Sequence, residues 1–201
     1  QNACEAALDM LGSLESLNAE LRAEADAVGQ IFQEIRVGIG IGTGLCCVGN
    51  LGSEQRFDYS VMGDTVNVAS RLEAQTKTYG VPIILNDTAR RASKALATIE
   101  LDLVRVKGRQ TPETIHALLG GPDVAMGTEF QDFAALYAKM LGAYRASQLS
   151  DATEALNKAR FLAPKFGLGP LLDIYEDRLK TYASQPPESG WDGVFIQSIR
   201  S

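Results

Sequence analysis

At 201 residues, 45% of them hydrophobic and 22% charged, the chain has length and apolar content for one large domain, or one domain with an appendage. A formal net charge of −6 excludes non-specific nucleic-acid binding through a basic surface. No apolar run approaches the roughly 20 residues of a membrane-spanning helix, and the three cysteines, Cys4, Cys46 and Cys47, form neither a metal-ligand spacing nor a disulfide framework. They are expected to be buried free thiols in a reducing cytoplasm.

The chain begins within a helical pattern, in which Ala7, Leu11, Leu14, Leu17 and Leu21 recur at three and four residues between acidic neighbours. This start reads as an excerpt from a longer protein, with Leu8, Leu11 and Leu14 expected in the core or at a dimer seam. Gly29 ends the helix. Residues 37–44, VGIGIGTG, then place a glycine at every second position. The spacing fits neither a dinucleotide fingerprint nor a P-loop, because Thr43 stands where a third glycine is needed and Asn50 and Leu51 follow Gly49 in place of Lys and Ser/Thr. Read at period two, it is a strand over 35–44 with Val37, Ile39, Ile41 and Thr43 on one face and only glycine on the other. Such a bare face is expected where a second backbone or a ligand comes very close.

A second strand at 45–48 is predicted beside it, with GNLGSEQ (49–55) as the connecting turn, and RFDYSVMG (56–63) is extended. TVNVASRLEAQTKTYG (65–80) is a helix with Val68, Leu72 and Thr76 on its buried stripe, Asp64 or Thr65 as cap, and Gly80 as stop. PIIL (82–85) is a short buried strand, 87–95 a short helix, and 99–108 and 114–120 two further strands. His116, the one histidine, is expected on a sheet edge rather than in catalysis. After GGPD (120–123) the pattern changes to three amphipathic helices over 130–146, 151–162 and 168–183, loosely like one tetratricopeptide unit. Trp191 and Phe195 are expected to pin the end of the chain onto a neighbouring surface.

Asn67 and Arg71 carry the strongest hint of chemistry. They are four residues apart on one helix, beside rather than within its apolar stripe. Two readings fit that placement: a solvated polar face with Arg71 paired to Glu73 or Glu54, or a pair of groups aimed at a ligand.

GDTVNVASRLEAQTK, preceded by RFDYSVM and GIGIGTG and followed by VKGRQTP at 106–112, closely resembles the catalytic domain of class III adenylate/guanylate cyclases. The resemblance covers residues 1–120. It implies an α+β, ferredoxin-like nucleotide cyclase domain, truncated at its N-terminal side and followed over 121–201 by an all-α, tetratricopeptide-like extension like that of some bacterial cyclases. It implies formation of cyclic AMP and pyrophosphate from ATP in intracellular signalling, by attack of the ribose 3′-oxygen on the α-phosphorus. In this reading Asn67 holds the ribose and Arg71 donates to the α-phosphoryl oxygens. Arg109, where the family usually has Lys, holds the outer phosphates. Ser60 stands at the base-selecting position, where many members have Asp, and the backbone at Val61 faces the base. The resemblance also implies two divalent ions, Mg or Mn, whose aspartate ligands lie upstream of this chain. Asp58 and Asp64 are not substitutes for them, and Asp64 is expected to cap its helix.

Active sites of the family form between protomers of a head-to-tail dimer, so the chain is expected to carry one half-site, to be inactive alone, and to belong to the cytoplasmic part of a membrane-anchored bacterial receptor cyclase. Two other functions fit the same residues: a guanylate cyclase, since a serine hydroxyl both donates and accepts, and a degenerate module that binds nucleotide or dimerises without catalysis. The helical extension is read as an interaction or packing module.

Overall fold

The computed structural model describes residues 1–53, 56–105, 112–188 and 190–194. Helix α1 (Asn2–Ala27) ends as predicted, with Gly29 in the left-handed region (φ +66°). Strand β1 (Ile39–Ile41) is the regular part of the glycine block. β2 (Cys47–Ser53) and β3 (Arg56–Met62) follow, then α2 (Asp64–Tyr79), β4 (Ile83–Asn86), α3 (Asp87–Arg91), β5 (Ala97–Val104) and β6 (Glu113–Gly120). The helical part comprises α4 (Pro122–Met126), α5 (Thr128–Arg145), α6 (Leu149–Ala159), a 3-10 turn at Ala163–Phe166, and α7 (Gly169–Ser184). The architecture is α+β with an all-helical C-terminal part.

Four strands form a mixed sheet in the order β1-β4-β6-β5; β1 and β4 are parallel and the other two pairs antiparallel. All four residues of β4 are buried, as a strand covered on both faces must be. On one face, α1 and α3 cover Ile39, Ile41, Ile83, Leu85 and Leu118. On the other, α2 and α5–α7 cover Ile84, Ile99, Leu101, Ile115 and Ala117, in one apolar cluster that runs from Val68 to Leu179 without a break at residue 120. Apolar burial, worth roughly 25 cal/mol for each Å² of apolar surface, therefore ties the C-terminal helices to the same core as α2 and the sheet.

Several expectations from the sequence are corrected. Residues 45–48 do not return beside the glycine strand. The second strand starts at Cys47 and runs through 49–53, pairing with β3 in a hairpin outside the main sheet, with Cys47 opposite Met62 and Gly49 opposite Ser60. Local alternation marks a strand but not its partner, and here the pairing runs forward. His116 is not at an edge: β6 lies between β4 and β5, and the imidazole is buried. Of the cysteines only Cys4 is buried, while Cys46 and Cys47 are exposed at the base of the hairpin. Trp191 packs against Tyr144 and Tyr182 as expected; Phe195 lies outside the described residues.

Candidate functional site

The partner of the bare glycine face is α2. A methyl group built on Gly40 would overlap the Ala69 carbonyl oxygen and the Glu73 amide nitrogen, and one on Gly38 or Gly44 would meet the side-chain hydroxyl of Thr76 or Thr65. The helix backbone thus lies directly against the strand, an approach open only to glycine. Val68, Leu72, Thr76 and Tyr79 form the buried row of α2. With that row and the glycine contact both turned inward, Asn67 and Arg71 stand one turn apart on the exposed row.

Among the described residues neither the Asn67 nor the Arg71 side chain takes part in a hydrogen bond or ion pair, so the pairing of Arg71 with Glu73 is not formed; Glu54 lies outside the described residues. A guanidinium on a helix with its planar fork unengaged is free to take two oxygens of an anion such as a phosphoryl group.

The start of α2 is fixed from the hairpin side. β3 carries Ser60, half-buried, and Val61, exposed, and runs into Gly63, whose φ of +157° is the corner before the helix. Gly63 also lies against Leu45 and Cys46, where a Cβ would come 3.0 Å from the Leu45 carbonyl oxygen. Thr65 Oγ1 donates to that same carbonyl at 3.1 Å. Gly63, not Asp64, occupies the N-cap position, with no side-chain cap hydrogen bond; Asp64 is the first helical residue, where its charge favours the positive end of the helix dipole. The strand that carries Ser60 and Val61 is thus joined to the helix that carries Asn67 and Arg71 by the Gly63 corner alone. Arg109 lies outside the described residues, between the end of β5 and the start of β6.

A second polar cluster escaped the sequence reading. Asp102 on β5 is only 2% exposed, yet it belongs to a strand facing the apolar core. Its Oδ2 accepts from Tyr79 Oη on α2 at 2.7 Å and from Arg178 Nη2 on α7 at 2.6 Å, while Oδ1 accepts from the Leu103 amide at 2.8 Å. A register shift between Glu100 and Asp102 puts both Leu101 and Asp102 on the inner side, and the Leu101 carbonyl accepts from Tyr175 Oη at 2.6 Å and Tyr137 Oη at 3.3 Å. Burial, with the Asp102 charge adding to it, pushes the Tyr79 hydroxyl well above the ordinary tyrosine range. Burial works against the Arg178 charge, but the hydrogen bond and attraction from Asp102 outweigh it and keep the guanidinium charged. The sequence does hold a signal: Ile99 and Leu101 set one apolar phase and Val104 and Val106 the other, as a bulge between them requires.

No group of three or more His, Cys, Asp or Glu side chains that could hold a metal ion occurs among the described residues. No helix among them is long and apolar enough to cross a membrane.

Comparison with known proteins agrees with the motif-bearing region. The family model described as "Adenylate and Guanylate cyclase catalytic domain" matches residues 1–120. "Adenylate cyclase 1" of Rhizobium meliloti is 36% identical over 121 residues, which cover 60% of this chain and 17% of that protein. The "Adenylate cyclase" of Anabaena cylindrica is 36% identical over 118 residues, covering 57% of this chain and 23% of the relative. Among solved structures, the adenylyl cyclase CyaB from P. aeruginosa is 27% identical with a TM-score of 0.48, the match covering 57% of this chain and 55% of that one. This chain thus spans less than a quarter of the length of these two curated relatives. With a family model matched over more than half of its residues, the chain belongs to the adenylate and guanylate cyclase catalytic domain family.

Proposed function

We propose that this chain supplies the nucleotide-contacting half of a class III cyclase active site, and that the assembled enzyme converts ATP to cyclic AMP and pyrophosphate. The observation that carries the reading is the exposed Asn67 and Arg71 pair on a helix whose opposite side is locked against glycine. The ribose 3′-hydroxyl gives up its proton, its oxygen bonds to the α-phosphorus, and the bond to the β-phosphate oxygen breaks, so that pyrophosphate leaves with the electron pair. This chemistry asks a protein mainly for positioning and for charge stabilisation. Asn67 holds the ribose so that the 3′-oxygen approaches in line. Arg71 meets the charge that grows on the α-phosphoryl oxygens with two parallel N–H donors. Ser60 and the backbone at Val61 receive the base, and Arg109 takes the outer phosphates.

The described residues do not fit a divalent-ion site, and no step is assigned to one in this chain. Mg or Mn would be held by aspartates of a partner protomer in a head-to-tail dimer. The hairpin supports such a contact: Leu45 (95% exposed) and Tyr59 (78%) leave apolar surface open beside the base-selecting strand, together with Val48, Val61 and Met62. In the full-length protein this unit would be the cytoplasmic part of a membrane-anchored receptor. One observation keeps GTP as a second substrate: the Ser60 hydroxyl donates or accepts, and so discriminates less against guanine than a carboxylate would.

The test is complementation. The chain is mixed with a cyclase domain of the family whose Asn and Arg equivalents are alanine but whose metal aspartates are intact, with Mn and either ATP or GTP. Cyclic nucleotide formed only in the mixture, and lost with Asn67→Ala or Arg71→Ala, is the expected result. Silence in a mixture shown to contain the heterodimer would refute the reading in favour of a non-catalytic module.

A further inference from the structure

We infer that Tyr79, Asp102 and Arg178 are positioning residues for the nucleotide half-site, through which the C-terminal helices set where α2, and with it Asn67 and Arg71, stands. This rests on the cyclase reading above. Asp102 is the centre of the cluster. A carboxylate withdrawn from water onto the inner side of a strand costs several kcal/mol unless charge-assisted donors reach it. Its donors come from two different elements: Tyr79, in the last turn of α2, and Arg178, in the middle of α7. Arg178 is held in turn by Tyr175, over whose ring its guanidinium lies at 5.0 Å, and Tyr175 is tied to the Leu101 carbonyl.

The node therefore measures the distance from α7 to α2 across one carboxylate. Apolar contacts between helices tolerate small slides, whereas a buried carboxylate with two short hydrogen bonds has one arrangement that satisfies it. The next residue adds a second stop. Gly80 closes α2 in the left-handed region (φ +66°), and Pro170 in the first turn of α7 lies so near that a Cβ on Gly80 would be 2.8 Å from it. The glycine strand holds α2 from Thr65 to Thr76, and its last residue is held by β5 and α7. From Tyr79 to Arg71 is eight residues of unbroken helix, roughly 12 Å of rigid rod, so a shift at the rear reaches the half-site with little loss. The 121–184 region thereby becomes part of the active-site scaffold rather than an appendage.

Tyr79→Phe removes one hydroxyl and leaves the ring in place; Arg178→Met keeps the stem and deletes the charge. Both are compared with the unaltered full chain by hydrogen exchange and in the complementation mixture. The expected result for Tyr79→Phe is exchange about tenfold faster at α2 amides, measured relative to amides of β4 and β6. In the mixture kcat is expected to fall about tenfold or more while KM for the nucleotide stays within about twofold, as lost transition-state alignment requires. Arg178→Met is expected to shift both readouts further in the same direction; if it does not fold, Tyr79→Phe decides. Equal acceleration at α2 and at the sheet would mean general destabilisation only and would overturn the inference. So would an unchanged kcat in a mixture whose unaltered chain is active. Silence of the unaltered chain would instead overturn the cyclase reading, and the positioning role with it.

Discussion

Replacing Gly40 with alanine tests whether the half-site helix is seated by the glycine strand. The new methyl would overlap the backbone at Ala69 and Glu73 and stand 3.0 Å from Leu72 Cβ. The methyl would stand 2.0 Å from the Ala69 oxygen, where carbon and oxygen need about 3.3 Å, so α2 must retreat by about 1 Å or more, and neither obstructing backbone group can rotate out of the way. Overpacking of this kind costs about 1–3 kcal/mol, and the upper end applies because Val68 and Leu72 are drawn away from the core with the helix. The restricted unfolded chain returns about 0.4–1 kcal/mol, leaving a net loss of about 2 kcal/mol. In a chain of this size that lowers Tm by about 4–8 °C. A displacement near 1 Å can also cost about 100-fold in turnover. Urea unfolding and complemented turnover are measured for Gly40→Ala beside Gly42→Ala, where the nearest atom would be Thr65 O at 3.1 Å and the helix need yield by only a few tenths of an ångström. Equal stability and equal activity of the two variants would refute the argument that close approach of α2 is what the glycines provide.

Three further outcomes are expected. Arg71→Lys, which keeps the charge but loses the planar fork, should lower complemented kcat by about 10- to 100-fold; unfolding should stay within about 0.5 kcal/mol of the parent, because the side chain is exposed. His116 is buried, with its Nε2 lacking a hydrogen bond among the described residues and Asp87 Oδ1 at 3.4 Å. Burial holds its pKa below the ordinary 6.5, against opposing pulls from Glu100 and Asp87 and with Arg90 assisting. The unfolded chain therefore takes up this proton first, so stability is full above about pH 6.5 and falls as the pH drops below it; urea midpoints from pH 7.5 to 5 should decline less in His116→Gln than in the parent. Gly12→Ala lies within α1 with nothing inside 4 Å of the new methyl, and a gain of about 0.5–1 kcal/mol in urea unfolding is expected.

The part of this fold that was legible in the sequence is the part set by neighbours in the chain. The Val68, Leu72 and Thr76 spacing specified the buried row of α2, and Gly80 specified its end, because a helix stripe and a left-handed cap need only local residues. Strand pairing is different. Residues 45–53 alternate in a way compatible with pairing backward to the glycine block or forward to 56–62, and only the assembled sheet selects the second. The same holds for His116: the pattern TIHALLG marks a strand, but an inner position depends on β4 and β5 arriving on either side of it.

The half-site divides along the same line. Asn67 and Arg71 could be found because one helix carries both within the stretch that resembles the family; their spacing alone fitted a solvated polar face as well. What holds that helix in place comes from three separate regions: glycines some thirty residues upstream, a carboxylate on β5, and an arginine on α7. No window of sequence contains Tyr79, Asp102 and Arg178 together, and two of the three sit in segments that read as ordinary strand and ordinary helix. A bulge turned Asp102 inward, and the change of apolar phase between Leu101 and Val104 was its trace. Once a carboxylate is buried, charge balance demands a cation and donors near it, so the phase change could have prompted a search for an arginine on a facing helix. Chemistry that touches substrate is written compactly, whereas the geometry that aims it is distributed over the fold. In the positioning role inferred above, only Arg178 lies in the helical C-terminal part; the glycines, Tyr79 and Asp102 lie within residues 1–120, so the aiming geometry joins the motif-bearing region to the helices that follow it.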